Sequence, residues 1–245
     1  MTGRWAPIVC EPGAAGGGAT SAEGIHHGSW GTPMTGCGEV SQRPADRLDD
    51  VAATVEFLMA VDDLKQVRRQ NPIATGRRRE RTAEHCWHVA IAALCLHEWA
   101  AEEIDLDRAL RLAIIHDLPE AAVGDTFVYG PGVSHRFERE QAGLRRLLAG
   151  LPTEAANRVH EAWHEYELET SAEGRYIMAL DIMLPIFLNF RAGVHSSWRR
   201  HNVAAAAVRS RVERVRRTIP ALAGLAMQTI DEAVARGLLA GDGSA

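Results

Sequence analysis

The chain has 245 residues, 46% of them hydrophobic and only 6% aromatic, with a formal net charge of -5. That length allows one large or two small domains with a substantial core. The mild acidity gives no global reason to expect nucleic acid or a membrane surface as partner. None of the four cysteines, Cys10, Cys37, Cys86 and Cys95, forms a CxxC pair. Cys86 and Cys95 would stand about 13 Å apart along one helix, too far for a disulfide. Both are read as inert core thiols, and nothing demands an oxidising compartment. No window reaches the roughly 18 apolar residues of a membrane span. The N-terminus lacks the charged start and apolar run of a signal peptide, so a cytoplasmic location is expected.

Residues 1–46 differ from the rest. "GAAGGGATSAEGIHHGSWGTPMTGCG" is rich in Gly, Ser and Thr without a sustained period, which predicts a disordered tail. Met34 could serve as an alternative start, and His26 and His27 within the tail carry no metal expectation. From Arg47 the pattern turns helical. "RLDDVAATVEFLMAVDDLKQV" places Val51, Val55, Leu58, Met59 and Leu64 near helical spacing, as for a core-facing stripe. Pro72 and Gly76 break it, and the basic loop "NPIATGRRRER" follows. "TAEHCWHVAIAALCLHEWA" reads as a helix capped by Thr82. "DLDRALRLAIIHDLPEAAVG" reads as another, with Asp105 near its start, Gly124 at its end and Pro119 forcing a break inside it. A charged helix, "HRFEREQAGLRRLLAGL", comes next, then "PTEAANRVHEAWHEYELE". "TSAEGRYIMALDIMLPIFLNFRA" opens with Thr170 and Glu173 at capping-box spacing. "NVAAAAVRSRVERVRRTI" and "PALAGLAMQTIDEAVARGLLA" complete the set. With no alternating strand and no repeat, one all-α domain is expected over residues 47–240. Trp87 and Trp99 are read as core or dimer-contact residues, and His97, His195 and His201 as surface.

The chemistry concentrates in "LAIIHDLPEAAVGD". His116, Asp117 and Glu120 interrupt an otherwise apolar helix, and Asp125 follows the helix end. Each costs free energy to desolvate without a partner. Asp117 and Glu120 are i,i+3, and His116 and Glu120 are i,i+4, so Glu120 can share a face with either. A divalent cation satisfies the set at once, because it compensates the anions and accepts the imidazole nitrogen. Further ligands are available in His85 or His88 of "AEHCWHVA". Asp181 is a lone carboxylate in the apolar run "YIMALDIMLPIF", where an unpaired anion would be very costly. Pro185, four residues on, removes the donor for the Asp181 carbonyl.

His85, then the pair His116–Asp117, then a distant Asp181, all on helices, resembles the HD-domain metal-dependent phosphohydrolases. The strings "AEHCWHVA", "HDLPEAAVGD" and "EYELETSAEGRYIMALD" are most similar to the HD-domain 5'-deoxynucleotidases, over residues 50 to 195. The resemblance implies a helical bundle, often a homodimer, holding one divalent metal ion through His85, His116, Asp117 and Asp181. Co, Mn, Fe, Ni, Zn or Mg would serve. Glu120 and Asp125 match two further acidic positions that act on the attacking water, the leaving group or an added metal. Arg78 matches the basic residue that faces the substrate phosphate, with Arg69 as a second candidate. The implied reaction is removal of phosphate from a nucleoside 5'-phosphate or nucleotide analogue by metal-activated water. Two departures stand out. The family's arginine–aromatic pair has no aromatic counterpart near Gln70 and Asn71, and Leu184 stands where many relatives carry Glu.

Two alternatives remain at this level. A di-iron HD-type oxygenase would need two more histidines, for which His135, His160 and His164 are available. A non-catalytic nucleic-acid-binding HD protein would use the arginines at 68, 69, 77, 78, 79 and 81 and those at 209, 211, 214, 216 and 217, although no aromatic lies in the first cluster to stack bases.

Overall fold

The computed structural model describes residues 48–241; the glycine-rich tail, with Cys10, Cys37, His26, His27 and Met34, lies outside the described residues. Helix α1 (Leu48–Val61) runs into a 3-10 turn at Asp62–Lys65. A hairpin of β1 (Arg68–Pro72) and β2 (Arg79–Arg81) follows. The rest of the described chain is helical: α2 (Thr82–Leu96), α3 (Leu106–Ile115), α4 (Glu120–Val123), α5 (Arg136–Leu148), α6 (Thr153–Glu167), α7 (Ala172–Ala192), α8 (Ser197–His201), α9 (Ala205–Val215) and α10 (Pro220–Ala235). The all-α expectation stands, with one addition. The hairpin escaped the sequence reading because "RRQNP" and "RER" are too short and polar to show alternation.

Helix α7 is the axle of the bundle. It packs against α2, α3, α6, α9 and α10. It is apolar on nearly every side, as a helix surrounded by others must be, and Tyr176, Ile177, Ala179, Leu180 and Met183 are fully buried. Segment Ala172–His195 is long and apolar enough by composition to cross a membrane, contrary to the reading that no window qualifies, yet 61% of its most apolar window is buried inside the protein. Polar ties set the register of its start. Ser171 caps the helix by accepting from the Gly174 N–H, so the cap is Ser171 rather than Thr170. Glu173 accepts from the backbone N–H of Asp105, fastening α3 to α7. Gly174 permits close approach to α6, since a Cβ there would lie 2.7 Å from the Glu165 carbonyl oxygen.

A second, smaller core gathers Leu64, Leu118, Leu144, Leu148 and Trp163. Helix α1 reaches it through Phe57 and Val61. The expected stripe of Val51, Val55, Leu58 and Met59 instead faces outward, and only Leu64 of that group is buried. The helix carries two apolar faces, and Phe57–Val61–Leu64, at i, i+4, i+7, took the inside. Cys86 is buried as expected, but Cys95 is exposed. Trp87 and Trp99 are exposed and not core.

Candidate metal centre and its cavity

The helix expected over residues 105–124 is divided in the structure. Asp105 caps α3 by accepting from the Arg108 N–H. The chain then turns through His116–Pro119 and restarts as the one-turn α4, which ends at Gly124 with φ of +74°. The turn keeps His116 Nε2 beside Asp117 and sets Asp117 and Glu120 against the same Arg69, so the three face one point.

Three elements bring their polar residues to that point. His85 comes from α2, His116 and Asp117 from the α3–α4 turn, and Asp181 from the middle of α7. One ligand atom each from His85, His116 and Asp181 lies within 4.8 Å of the others. His85 Nε2 is 2.9 Å from Asp181 Oδ1 and 3.9 Å from Asp117 Oδ2. His116 Nε2 is 3.3 Å from Asp117 Oδ2. Donors about 2.0–2.2 Å from a shared cation stand about 3–4 Å from one another, so the spacing fits an ion.

The tautomers fit too. His116 Nδ1 donates to the Ala113 carbonyl at 2.8 Å, which leaves Nε2 with its lone pair facing the cluster; that atom is buried with no hydrogen-bond partner. His85 Nδ1 lies 3.3 Å from Glu80 Oε2. A carboxylate behind an imidazole orients the ring and raises the basicity of its far nitrogen. Tyr166 stands on the other side: its hydroxyl donates to Asp181 Oδ2 at 3.0 Å, and its ring packs 5.1 Å from that of His116. A competing grouping of Cys86 with His116 and Asp117 also has ligand-like spacing. Burial and the nearby Asp117 push the Cys86 thiol well up, so it stays protonated and a poor donor.

Charge shapes the site. Burial and Arg69 both push the His85 imidazolium down, but the hydrogen bonds to Asp181 and Glu80 outweigh them and lift it to about 9. Burial opposes ionisation of Asp117, yet His116 and Arg69 hold it well below the usual carboxylate range. Asp181 is likewise held low against burial by His85 and Arg69. Glu120 goes the other way: burial and Asp117 drive it well up, and Thr82 Oγ1 donates to its Oε2 at 2.6 Å. Thr82 is thus the first residue of α2 rather than its cap, its hydroxyl facing Glu120. Burial and Asp117 also raise Asp125, whose Oδ2 accepts from the Gln70 N–H at 3.1 Å.

The hairpin inserts one cation into this cluster. Arg69 bonds Asp117 and lies 3.4 Å from Asp181 Oδ1 and 3.9 Å from Glu120 Oε1. Arg69, Asp117, Glu120, Asp125 and Asp181 all line a cavity of about 90 Å³, with Arg136, Glu140, Arg211 and Arg214 around it. That is room for a phosphate-sized group. Residues 69–71 carry no aromatic, while Phe127, from the segment after α4, lines the same cavity. Arg78 is not brought to it. Arg78 sits at the surface in a two-pronged pair with Glu84, at 2.7 and 2.9 Å.

Sequence reasoning missed Glu80, Tyr166 and the ion group of Arg136 with Glu140 and Glu167. Arg136 donates to Glu140 at 2.8 Å and to both oxygens of Glu167 at 2.9 and 2.7 Å. The signal for Tyr166 and Glu167 lay in the quoted string "EYELE"; Glu80 had none, being one acid in a basic run. His160 and His164 pack on each other, and His164 meets Phe137, Trp163 and Gln141 rather than the cluster.

Comparison with known proteins agrees with this geometry. The HD domain family profile matches residues 61–223, two thirds of the chain. The chain belongs to the HD domain family. Among curated relatives, the HD domain here is 30% identical over 132 residues to the 5'-deoxynucleotidase HDDC2 of Bos taurus, covering 52% of this chain and 62% of that protein. It is 28% identical over 131 residues to the 5'-deoxynucleotidase YBR242W of Saccharomyces cerevisiae, covering 51% and 54%. The chain thus spans less than two thirds of the length of these relatives. Among solved structures, a chain from Magnetospirillum magnetotacticum MS-1 described as a predicted metal-dependent phosphohydrolase superposes with a TM-score of 0.73 at 35% identity, over 78% of this chain and 96% of that one. A conserved hypothetical protein from Pyrococcus furiosus shares the fold, with a TM-score of 0.55 at 22% identity over 73% and 99%.

Proposed function

We propose that this HD domain protein is a divalent-metal-dependent phosphohydrolase that removes phosphate from a nucleoside 5'-phosphate or a nucleotide analogue. One observation carries the reading: ligand atoms of His85, His116 and Asp181 meet from three elements, Asp117 Oδ2 lies 3.3 Å from His116 Nε2 and 3.9 Å from His85 Nε2, and that buried His116 Nε2 makes no hydrogen bond. The names of the relatives, 5'-deoxynucleotidase and metal-dependent phosphohydrolase, support it. A divalent ion held by these four residues would supply Lewis acidity toward a phosphoryl oxygen and would lower the pKa of its bound water toward about 7–9. The mixed nitrogen and oxygen donors suit Co, Mn, Fe, Ni, Zn or Mg.

The protein's own groups do the rest. Arg69 holds the phosphate and Asp117 in one plane of guanidinium donors. Glu120, with its raised affinity for a proton, takes one from the attacking water and returns it to the leaving 5'-oxygen, a step worth about 10² to 10⁴ in rate. Asp125 fixes the second side of the water, itself held by Gln70. Phe127 offers an apolar face to the nucleoside. The outward apolar residues of α1 (Val51, Val55, Leu58 and Met59) and of α2 (Trp87, Ile91 and Leu94) support a homodimer.

The test is phosphate release from the four deoxynucleoside 5'-monophosphates, and from nucleoside di- and triphosphates and sugar phosphates, with each divalent metal in turn. Release from a 5'-monophosphate that disappears in Asp117→Ala, with helicity retained, supports the reading. No release from any of these esters under any metal overturns it.

A further inference from the structure

A second concavity lies apart from the metal centre and shares no lining residue with its cavity. The loop after β1 and the segment after α7 border an open concavity of about 690 Å³, lined by Arg77, Arg78, Arg79, His195, Arg199 and Arg200. No carboxylate lines it. Glu84 meets the charge of Arg78. Arg199 donates to the Gly237 carbonyl at 2.9 Å and Arg200 to the Gln70 carbonyl at 3.1 Å. Neutral acceptors fix those two side chains without cancelling their charge. Arg77 and Arg79 have no ion-pair partner among the described residues. Four guanidinium charges therefore line the concavity from two separate segments, with no ion-pair partner among the described residues.

The two walls are held close by design of the backbone. Gly76, at φ of +71°, packs so tightly that a Cβ would lie 3.0 Å from His195 Cβ and 3.2 Å from the Ala192 carbonyl oxygen. Only glycine takes that conformation at that distance without strain.

We propose that this cleft binds a small phosphate-rich anion, a triphosphate group either free or carried by a nucleoside. Its volume falls in the range of small-molecule sites. Guanidinium forks match phosphate oxygens in pairs, and a triphosphate carries close to the opposite of the unbalanced charge. No Phe, Tyr or Trp lines the cleft, so the phosphates dominate recognition and a base adds little. That same lack disfavours a single-stranded polynucleotide, which relies on stacking. The inference does not depend on the hydrolase reading.

Titration calorimetry of the full chain with inorganic tripolyphosphate, in metal-free buffer at about 0.15 M salt, tests it; at that ionic strength scattered surface charges are largely screened. The expected result is one saturable equivalent. The double variant Arg77→Ser/Arg79→Ser weakens it at least tenfold, while Asp117→Ala leaves it unchanged. The single variant Arg77→Ser, at an exposed position, weakens it at least threefold and guards against a folding defect in the double. The proposal is overturned by absence of saturable binding, by loss in Asp117→Ala but not in the cleft variants, or by tighter, more steeply salt-dependent binding of a polynucleotide at these arginines.

Discussion

His85 Nε2 and Asp181 Oδ1 stand 2.9 Å apart although 96 residues separate them in the chain. Helices α2 and α7 meet at that contact, and both residues face the lone pair of His116. Replacing Asp181 by Asn keeps the shape and removes the charge. Uptake of divalent metal by Asp181→Asn should fall by more than about 100-fold, beyond the loss that follows from disturbing a supporting residue. Equilibrium dialysis against Mn or Co measures it. Full stoichiometric uptake with native affinity would remove Asp181 from the ligand set.

Glu80 tests the support behind the ligands. Its carboxylate backs His85 Nδ1 at 3.3 Å and lies 3.9 Å from Arg69 Nε. Glu80→Gln should weaken metal binding by about 10- to 100-fold, and excess metal should restore most of the turnover. If Glu80 served only to hold the hairpin, added metal would restore nothing.

The primary cluster was legible in the sequence because His116, Asp117 and Asp181 interrupt apolar helices, where solitary polar groups are costly. Arg69 was legible only by resemblance, and the structure puts it in the cavity while leaving Arg78 on the surface. Both sit among arginines, and sequence does not reveal which way each faces in so short a hairpin. Glu80 was hidden for the same reason. The division of α3 from α4 was announced by Pro119. The inward stripe of α1 was misread because that helix has apolar residues on two faces, and only tertiary contact chooses between them.

Gly174 should tolerate no side chain. The Gly174→Ala methyl would press on the Glu165 carbonyl at 2.7 Å, where a backbone atom cannot swing aside. Overpacking of this kind costs about 1–3 kcal/mol, which lowers the melting temperature by about 2–12 °C in a protein of this size. Thermal unfolding followed by circular dichroism reads the shift. An unchanged melting temperature would mean that α6 and α7 are free to move apart.

Glu140 gives a pH signature. Burial outweighs Arg136 and pushes it up to about 8 from an ordinary 4.5. A carboxyl raised in the fold binds its proton more tightly folded than unfolded, so its stabilising contribution is full at low pH and is lost as pH rises from about 4.5 through about 8. The melting temperature of the unaltered protein should therefore decline more steeply across that window than that of Glu140→Gln. Calorimetric scans near each end of the window decide it; parallel curves would show that Glu140 does not change charge there.

The hairpin pairs Arg68 with Arg81 and Pro72 with Arg79, with a bulge between the two pairs, and turns both Arg69 and Glu80 inward. Because successive strand residues point to opposite sides, sliding one strand by a single position would present Arg68 or Gln70 to the carboxylates and send Arg69 into solvent. A shift of one residue at Arg69 or at Glu80 would thus silence the centre without touching any metal ligand, and the connecting loop is constrained as well, because Gly76 packs against His195 and Ala192. Parity at Arg69 and Glu80, together with the seat of Gly76, is what inheritance must guard in this segment.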